Sequence, residues 1–110
     1  MQISHKRGLQ AGLMSALLAA STAQAFEGDA QRGRVLAETC LGCHGVPSYT
    51  NTYPTYHVPK VGGQNEAYII SALLDYRSGK RAHSIMHKNA KSLSDQDIAD
   101  IAVYFSTAVE

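Results

Sequence analysis

Residues 40 to 45 read CLGCHG and contain both cysteines of the 110-residue chain, with His44 directly behind the second. Whatever chemistry uses two thiols at this spacing also decides the fold around them. The candidates are a dithiol redox pair, half of a zinc site and covalent attachment of haem c. A disulfide inside so short a loop would stabilise little, because the gain grows with loop length. A zinc site needs about four ligands, and the expectation is that neither a second Cys pair nor an H-x3-H pair completes one. A thioredoxin-like pair follows a strand, whereas GDAQRGRVLAET before Cys40 reads as helix. Haem c uses all three residues: each thiol fixes one edge of the porphyrin through a thioether, and His44 offers its imidazole to the iron.

The N-terminus agrees with an exported haem protein. The chain begins MQISHKRG, with Lys6 and Arg7, continues through the run LQAGLMSALLAA, and reaches Ala23-Gln24-Ala25. A charged start, a short apolar stretch and an A-x-A site describe a secretory signal peptide over residues 1–25, cut before Phe26. Leu9 to Ala20 is twelve residues, short of the ~20 that a spanning helix needs. Residues 26–110 are then a single small periplasmic domain, with no membrane insertion expected of the mature chain. Without Lys6 and Arg7, eight of the ten basic residues face nine acidic ones, a balance that suggests neither nucleic acid nor an anionic membrane as partner. So small a domain buries a modest core and gains from an internal staple.

Helical signals dominate the rest. Asp29 is a plausible N-cap for a helix from Ala30 to about Thr39, with Val35 and Leu36 inward. GVPSYTNTYPTYHVPKVGG, residues 45–63, has three prolines, three tyrosines and neither helical nor strand period. A compact domain holds so long an irregular segment only if something unusual packs on it, and a haem edge would serve. Tyr68, Ile69, Ala72, Leu73 and Tyr76 then recur at helical spacing, and Gly79 is a natural stop. RAHSIMHKNAKSL reads as a loop. Ser94 to Asp97 resembles a capping box, and Ile98, Ile101, Ala102 and Phe105 mark the apolar face of a terminal helix. The expectation is an all-α domain of three main helices with long loops and no strands.

In GDAQRG, CLGCHG, PKVGGQ, YIISALLDYRSGKR, Met86 and LSDQDIADIAVYFS, taken in order, the chain resembles the class I cytochromes c, specifically the small bacterial c553/c5 type and a single-haem half of cytochrome c4. The resemblance implies a class I cytochrome c fold wrapped around one covalent haem c. It also implies His44 as proximal and Met86 as distal iron ligand, with the Pro59 carbonyl accepting the Nδ1 proton of His44 to orient its ring. First and last helices are expected to cross, bringing Gly33 or Leu36 to Tyr104 or Phe105. Val61 and Gly62 depart from the Leu-Ala usual at those positions, and one C-x-x-C-H departs from the two haem domains usual in cytochrome c4.

Met86 is the sole methionine after residue 25. His83 and His87 flank it, so a bis-histidine haem is the competing ligand set, and an open iron site would change the functional class. For Tyr49, Tyr53, Tyr56 and His57 the expectation is haem-edge packing or solvent, with no chemistry assigned. Lys60, Lys80, Arg81, Lys88 and Lys91 are candidates for docking redox protein partners around the exposed haem edge. The function implied is a single-electron carrier rather than an enzyme. A haem subunit of an exported oxidoreductase complex is the alternative.

Overall fold

Asp29 opens the described structure as an N-cap, its carboxylate accepting from the amides of Gln31 and Arg32. The structure is a computed structural model describing residues 26–108, so the signal peptide expected over 1–25 lies outside the described residues. Helix α1 (Ala30–Leu36) is followed after Ala37 by α2 (Glu38–His44). The backbone bonds Ala37 N to Gly33 O and Leu41 N to Ala37 O carry the i→i−4 ladder across the junction. Helix therefore continues through the whole of CLGCH, beyond the expected end near Thr39. Leu36 packs against the core. Val35, expected inward, is 66% exposed instead, because the face of α1 that meets its neighbour is the one carrying Gly33.

Among the described residues there are also two short strands, β1 (Thr50–Thr52) and β2 (Thr55–His57), which pair antiparallel with Asn51 opposite Tyr56. No strand was expected here. The pattern exposed, half-buried, exposed on both strands places no apolar face inward, so the sequence carries no period-2 signal.

Helix α3 (Glu66–Ser78) ends at the expected Gly79, φ 81°, and begins at a cap not named from the sequence, with the Asn65 side chain accepting from the Tyr68 amide. A further helix, α4 (Ser84–Ala90), replaces the expected loop and contains Met86. Helix α5 (Asp95–Thr107) begins at the capping box, with Ser94 Oγ accepting from the Asp97 amide and the Asp97 carboxylate accepting from the Ser94 amide. Its Ile98, Ile101, Ala102 and Phe105 are buried, as their spacing predicts. Each large apolar side chain removed from water in this way is worth about 2 kcal/mol.

Helices α1 and α5 cross where neither has a large side chain in the way. A Cβ on Gly33 would stand 1.9 Å from the Asp100 carbonyl oxygen and 3.0 Å from Tyr104 Cβ, so only glycine permits this approach. The crossing also encloses the Asp100 side chain, 0% exposed, which accepts from the Asp29 amide, Gln96 Nε2 and Arg32 Nη1. Burial pushes the Asp100 carboxyl up, but these three donors outweigh it and hold the group below the usual carboxylate range. Ile69 of α3 joins Ala37, Ile101, Ala102 and Phe105 in the core. The Gly63 amide donates to Phe105 O at 2.8 Å and ties the segment after the hairpin to the end of α5.

Candidate functional site

Helical spacing puts Cys40, Cys43 and His44 on one face of α2, since positions three and four apart are neighbours on a helix. That face borders a cavity of about 460 Å³. Pro59, from the segment after the hairpin, and Met86, from α4, line the same cavity. Cys40, Cys43, His44, Pro59 and Met86 are thus brought to one place. Both thiols are free, and burial pushes the Cys40 thiol up from its ordinary value.

His44 Nδ1 lies 2.7 Å from the Pro59 carbonyl oxygen. A carbonyl only accepts, so the ring donates from Nδ1 and keeps its Nε2 lone pair. The interior wall is apolar, with Val61, Ile69, Leu73, Ile85, Ile101 and Phe105 prominent. Val61, the departure noted in PKVGG, packs against the core cluster as well as lining the cavity.

The histidines beside Met86 divide into two kinds. His83 lines the cavity and caps α4, its Nδ1 accepting from the Met86 amide at 3.3 Å. The rings of Tyr56 and Tyr76 meet it edge-on at 4.9 and 6.1 Å between centroids. His87 does not border the cavity, and its Nδ1 lies 2.8 Å from Tyr76 O on α3. This pair also corrects the case against zinc: His83-x-x-x-His87 is an H-x3-H pair with the spacing of a zinc half-site, where none was expected. Among the described residues, no three His, Cys, Asp or Glu side chains gather where they could hold a metal ion.

Tyr68 and Tyr76, read in the sequence as helix positions, and Arg81, read as a docking charge, line the cavity as well. Arg81 extends Nη1 to within 3.3 Å of Tyr68 Oη, and its guanidinium stands 4.8 Å from the centre of the Tyr76 ring. That hydrogen bond and the neighbouring tyrosines raise the Arg81 pKa further. The only available signal was that Tyr68 and Tyr76 share a helical face pointing one way, which read as core. Of the aromatic residues before α3, Tyr56 and His57 line the cavity, whereas Tyr53 is 94% exposed at the hairpin tip. His57 Nδ1 lies 3.0 Å from Thr50 Oγ1 across the hairpin.

Two thiols, an imidazole and a thioether around a largely apolar cavity form a donor set suited to covalent haem. The volume falls within the range of about 300–1,000 Å³ typical of cofactor sites. The family model for cytochrome c matches residues 30–108, the entire span of this architecture. The chain belongs to the cytochrome c family. It is a class I cytochrome c domain, and the family is one of electron-transport proteins carrying covalent haem c.

Three relatives place it more closely. Cytochrome c4 of Pseudomonas aeruginosa is 40% identical over 80 residues, covering 73% of this chain and 38% of that one. Cytochrome c-554(548) of Halomonas halodenitrificans is 40% identical over 83 residues, covering 73% of this chain and 96% of that one. The cytochrome subunit of sulfide dehydrogenase of Chlorobaculum tepidum is 34% identical over 74 residues, covering 67% and 64%. This chain therefore spans well under half the length of that cytochrome c4 and about two thirds of the dehydrogenase subunit.

Proposed function

We propose that this chain shuttles single electrons in the periplasm through one haem c, bound as thioethers to Cys40 and Cys43 with His44 and Met86 as axial iron ligands. The observation that carries the reading is the convergence of these four side chains, from α2 and from α4 more than 40 residues later, on one apolar cavity. The haem supplies the ferric/ferrous couple when bound. The remaining chemistry belongs to the chain.

By donating Nδ1–H to Pro59 O, His44 is fixed in the tautomer and ring orientation that present Nε2. Met86 stands on a helix whose first turn is capped, so the thioether is carried by a defined backbone rather than by a loop. The apolar wall of Ile69, Leu73, Ile101 and Phe105 keeps water away and disfavours the additional positive charge of the oxidised state. With His44 and Met86 both committed to the iron, such a site would exchange electrons and leave no position for a substrate.

The partners of such a site are redox proteins. Lys80, Arg81, Lys88 and Lys91 are exposed on the segments around α4, where positive charge would steer an acidic partner. A second reading, the haem subunit of an exported oxidoreductase complex, is favoured by the likeness to a protein named as the cytochrome subunit of sulfide dehydrogenase. Purification from the native source separates the two: a carrier elutes alone, and a subunit elutes with a catalytic chain.

Optical spectra of the oxidised and reduced holoprotein test the ligand set. The expected result is a low-spin haem c with the weak ferric iron–sulfur band, and carbon monoxide binding to the reduced protein at neutral pH would overturn it. Intact mass after acid-acetone extraction tests the attachment. Haem mass should stay on the polypeptide, and recovery of free haem with an unmodified chain would refute the thioethers.

A further inference from the structure

The two histidines that flank Met86, His83 before it and His87 directly after it, are unlike in structure. His87 is turned away, engaged with Tyr76 O and absent from the cavity wall. His83 borders the same cavity as Met86 and is flanked edge-on by Tyr56 and Tyr76. Its one hydrogen bond to the backbone is informative about its protons. The Met86 amide can only donate, so His83 Nδ1 accepts, and in the neutral ring the proton then resides on Nε2. A nitrogen carrying a proton has no lone pair for a metal. While it caps α4, His83 therefore has neither nitrogen available: Nδ1 is committed to the amide and Nε2 is protonated.

We propose that His83 is a reserve ligand for the haem iron, held off by the tautomer that caps α4 and released to it when the Met86 sulfur leaves. This rests on the reading of Met86 as the native sixth ligand. Moving the ring proton from Nε2 to Nδ1 frees the Nε2 lone pair and at the same moment breaks the bond to the Met86 amide. Capping and ligation by Nε2 are thus mutually exclusive, and the cap holds the first turn of α4, where Met86 sits. The two ligands are alternatives coupled through one hydrogen bond. One hydrogen bond at a helix cap is far weaker than a metal–nitrogen bond, so an iron that has lost its sulfur can draw His83 away from it.

The test uses three holoproteins: Met86→Leu, which keeps the side-chain volume, and the same change combined with His83→Asn or His87→Asn. Asparagine retains a cap acceptor. Met86→Leu should lose the iron–sulfur band, remain low-spin with the paramagnetic resonance signature of two axial nitrogens, and fail to bind carbon monoxide when reduced. Adding His83→Asn should make the haem high-spin and reactive with carbon monoxide, while adding His87→Asn should change nothing further. A Met86→Leu protein that is itself high-spin and gas-reactive overturns the reserve ligand and leaves the Met86 reading intact. A capture abolished by His87→Asn, or by neither change, also overturns it. If Met86→Leu keeps the parent spectrum, Met86 is not the native ligand and both readings fall. Should Met86→Leu yield no holoprotein, peroxide treatment of the wild-type and His83→Asn holoproteins gives the same comparison. The Met86 sulfur takes one oxygen from hydrogen peroxide, which leaves as water. Only the wild type should then remain low-spin, and equal behaviour of the two overturns the proposal.

Discussion

Where α1 crosses α5, the protein is its own solvent; around the cavity, it is not. At the crossing a glycine lets two backbones touch, and a carboxylate with 0% exposure has three donors. The cavity has one wall from α3 and α5, but the rest is assembled from two seven-residue helices, α2 and α4, from Tyr56 and His57 of β2 and from the segment Val58 to Val61. Helices so short are marginal unless something packs on them. The contrast teaches that the first region is built to hold itself together, and the second to be held by what it encloses.

The largest expected effect removes that enclosed group. A Cys40→Ser, Cys43→Ser protein, unable to form thioethers, should lose cooperative thermal unfolding by circular dichroism. Amide exchange should be close to unprotected throughout α2, the hairpin and α4. A domain with stability of only ~5–15 kcal/mol has no reserve for an unfilled centre of this size. Native-like cooperative melting of the double variant would erase the distinction between the two regions.

A smaller loss should follow from attacking the other region directly. Gly33→Ala places a methyl group 1.9 Å from the Asp100 carbonyl oxygen, and the obstacle is backbone, which cannot rotate aside. The helices must separate, at a cost of about 3 kcal/mol or more. Denaturant unfolding of the holoprotein should show this loss with covalent haem content unchanged. An unaltered midpoint would mean that the crossing does not carry stability.

Acid should find the same place. The Asp100 carboxyl is held below its unfolded value despite burial, so the stability it contributes is present above the unfolded pKa of about 4 and lost as pH falls toward the folded value. Asp97 is shifted the same way, by the Ser94 amide and by Arg32, and adds to the loss. Wild-type holoprotein should therefore lose stability steeply on acidification below about pH 4. Asp100→Asn should be less stable by about 2 kcal/mol near neutral pH, with a shallower acid limb. Parallel acid limbs in the two proteins would remove Asp100 from the account.

These differences also explain what the sequence made legible. Helices α3 and α5 announce themselves through Gly79, the Ser94–Asp97 box and apolar residues at helical spacing, because each is stabilised by its own caps and a face packed on the core. Helix α4 does not. Its cap is a histidine, and SIMHKNA carries no continuous apolar stripe, since its inner side faces the cavity. The hairpin lacks alternation for a related reason: Tyr56 points toward His83 rather than into a layered core. At the site, Cys40, Cys43, His44, Pro59 and Met86 could be named in advance because the C-x-x-C-H spacing and a family resemblance point to them. Tyr68 and Tyr76 were legible only as helix positions and Arg81 only as a docking charge, since aromatic residues on a helical face look alike whether they meet a core or a cavity. Nor did the sequence distinguish His83 from His87, which only their hydrogen-bond partners separate.

The smallest expected effect concerns Val35, which periodicity placed inward and which is 66% exposed. If the stability of the α1–α5 region resides wholly on the face bearing Gly33, then Val35→Ser removes almost no buried surface. It should shift the unfolding free energy by no more than about 0.5 kcal/mol, as ordinary surface substitutions do. Both the haem spectrum and the acid limb should stay as they are, because Val35 touches neither the cavity wall nor the Asp100 network. Burial of a valine is worth about 1.5–3 kcal/mol, so denaturant unfolding resolves the two cases readily. A loss of that larger size would mean that α1 buries its other face in solution, and the two regions would then meet through a contact on the far side of the helix.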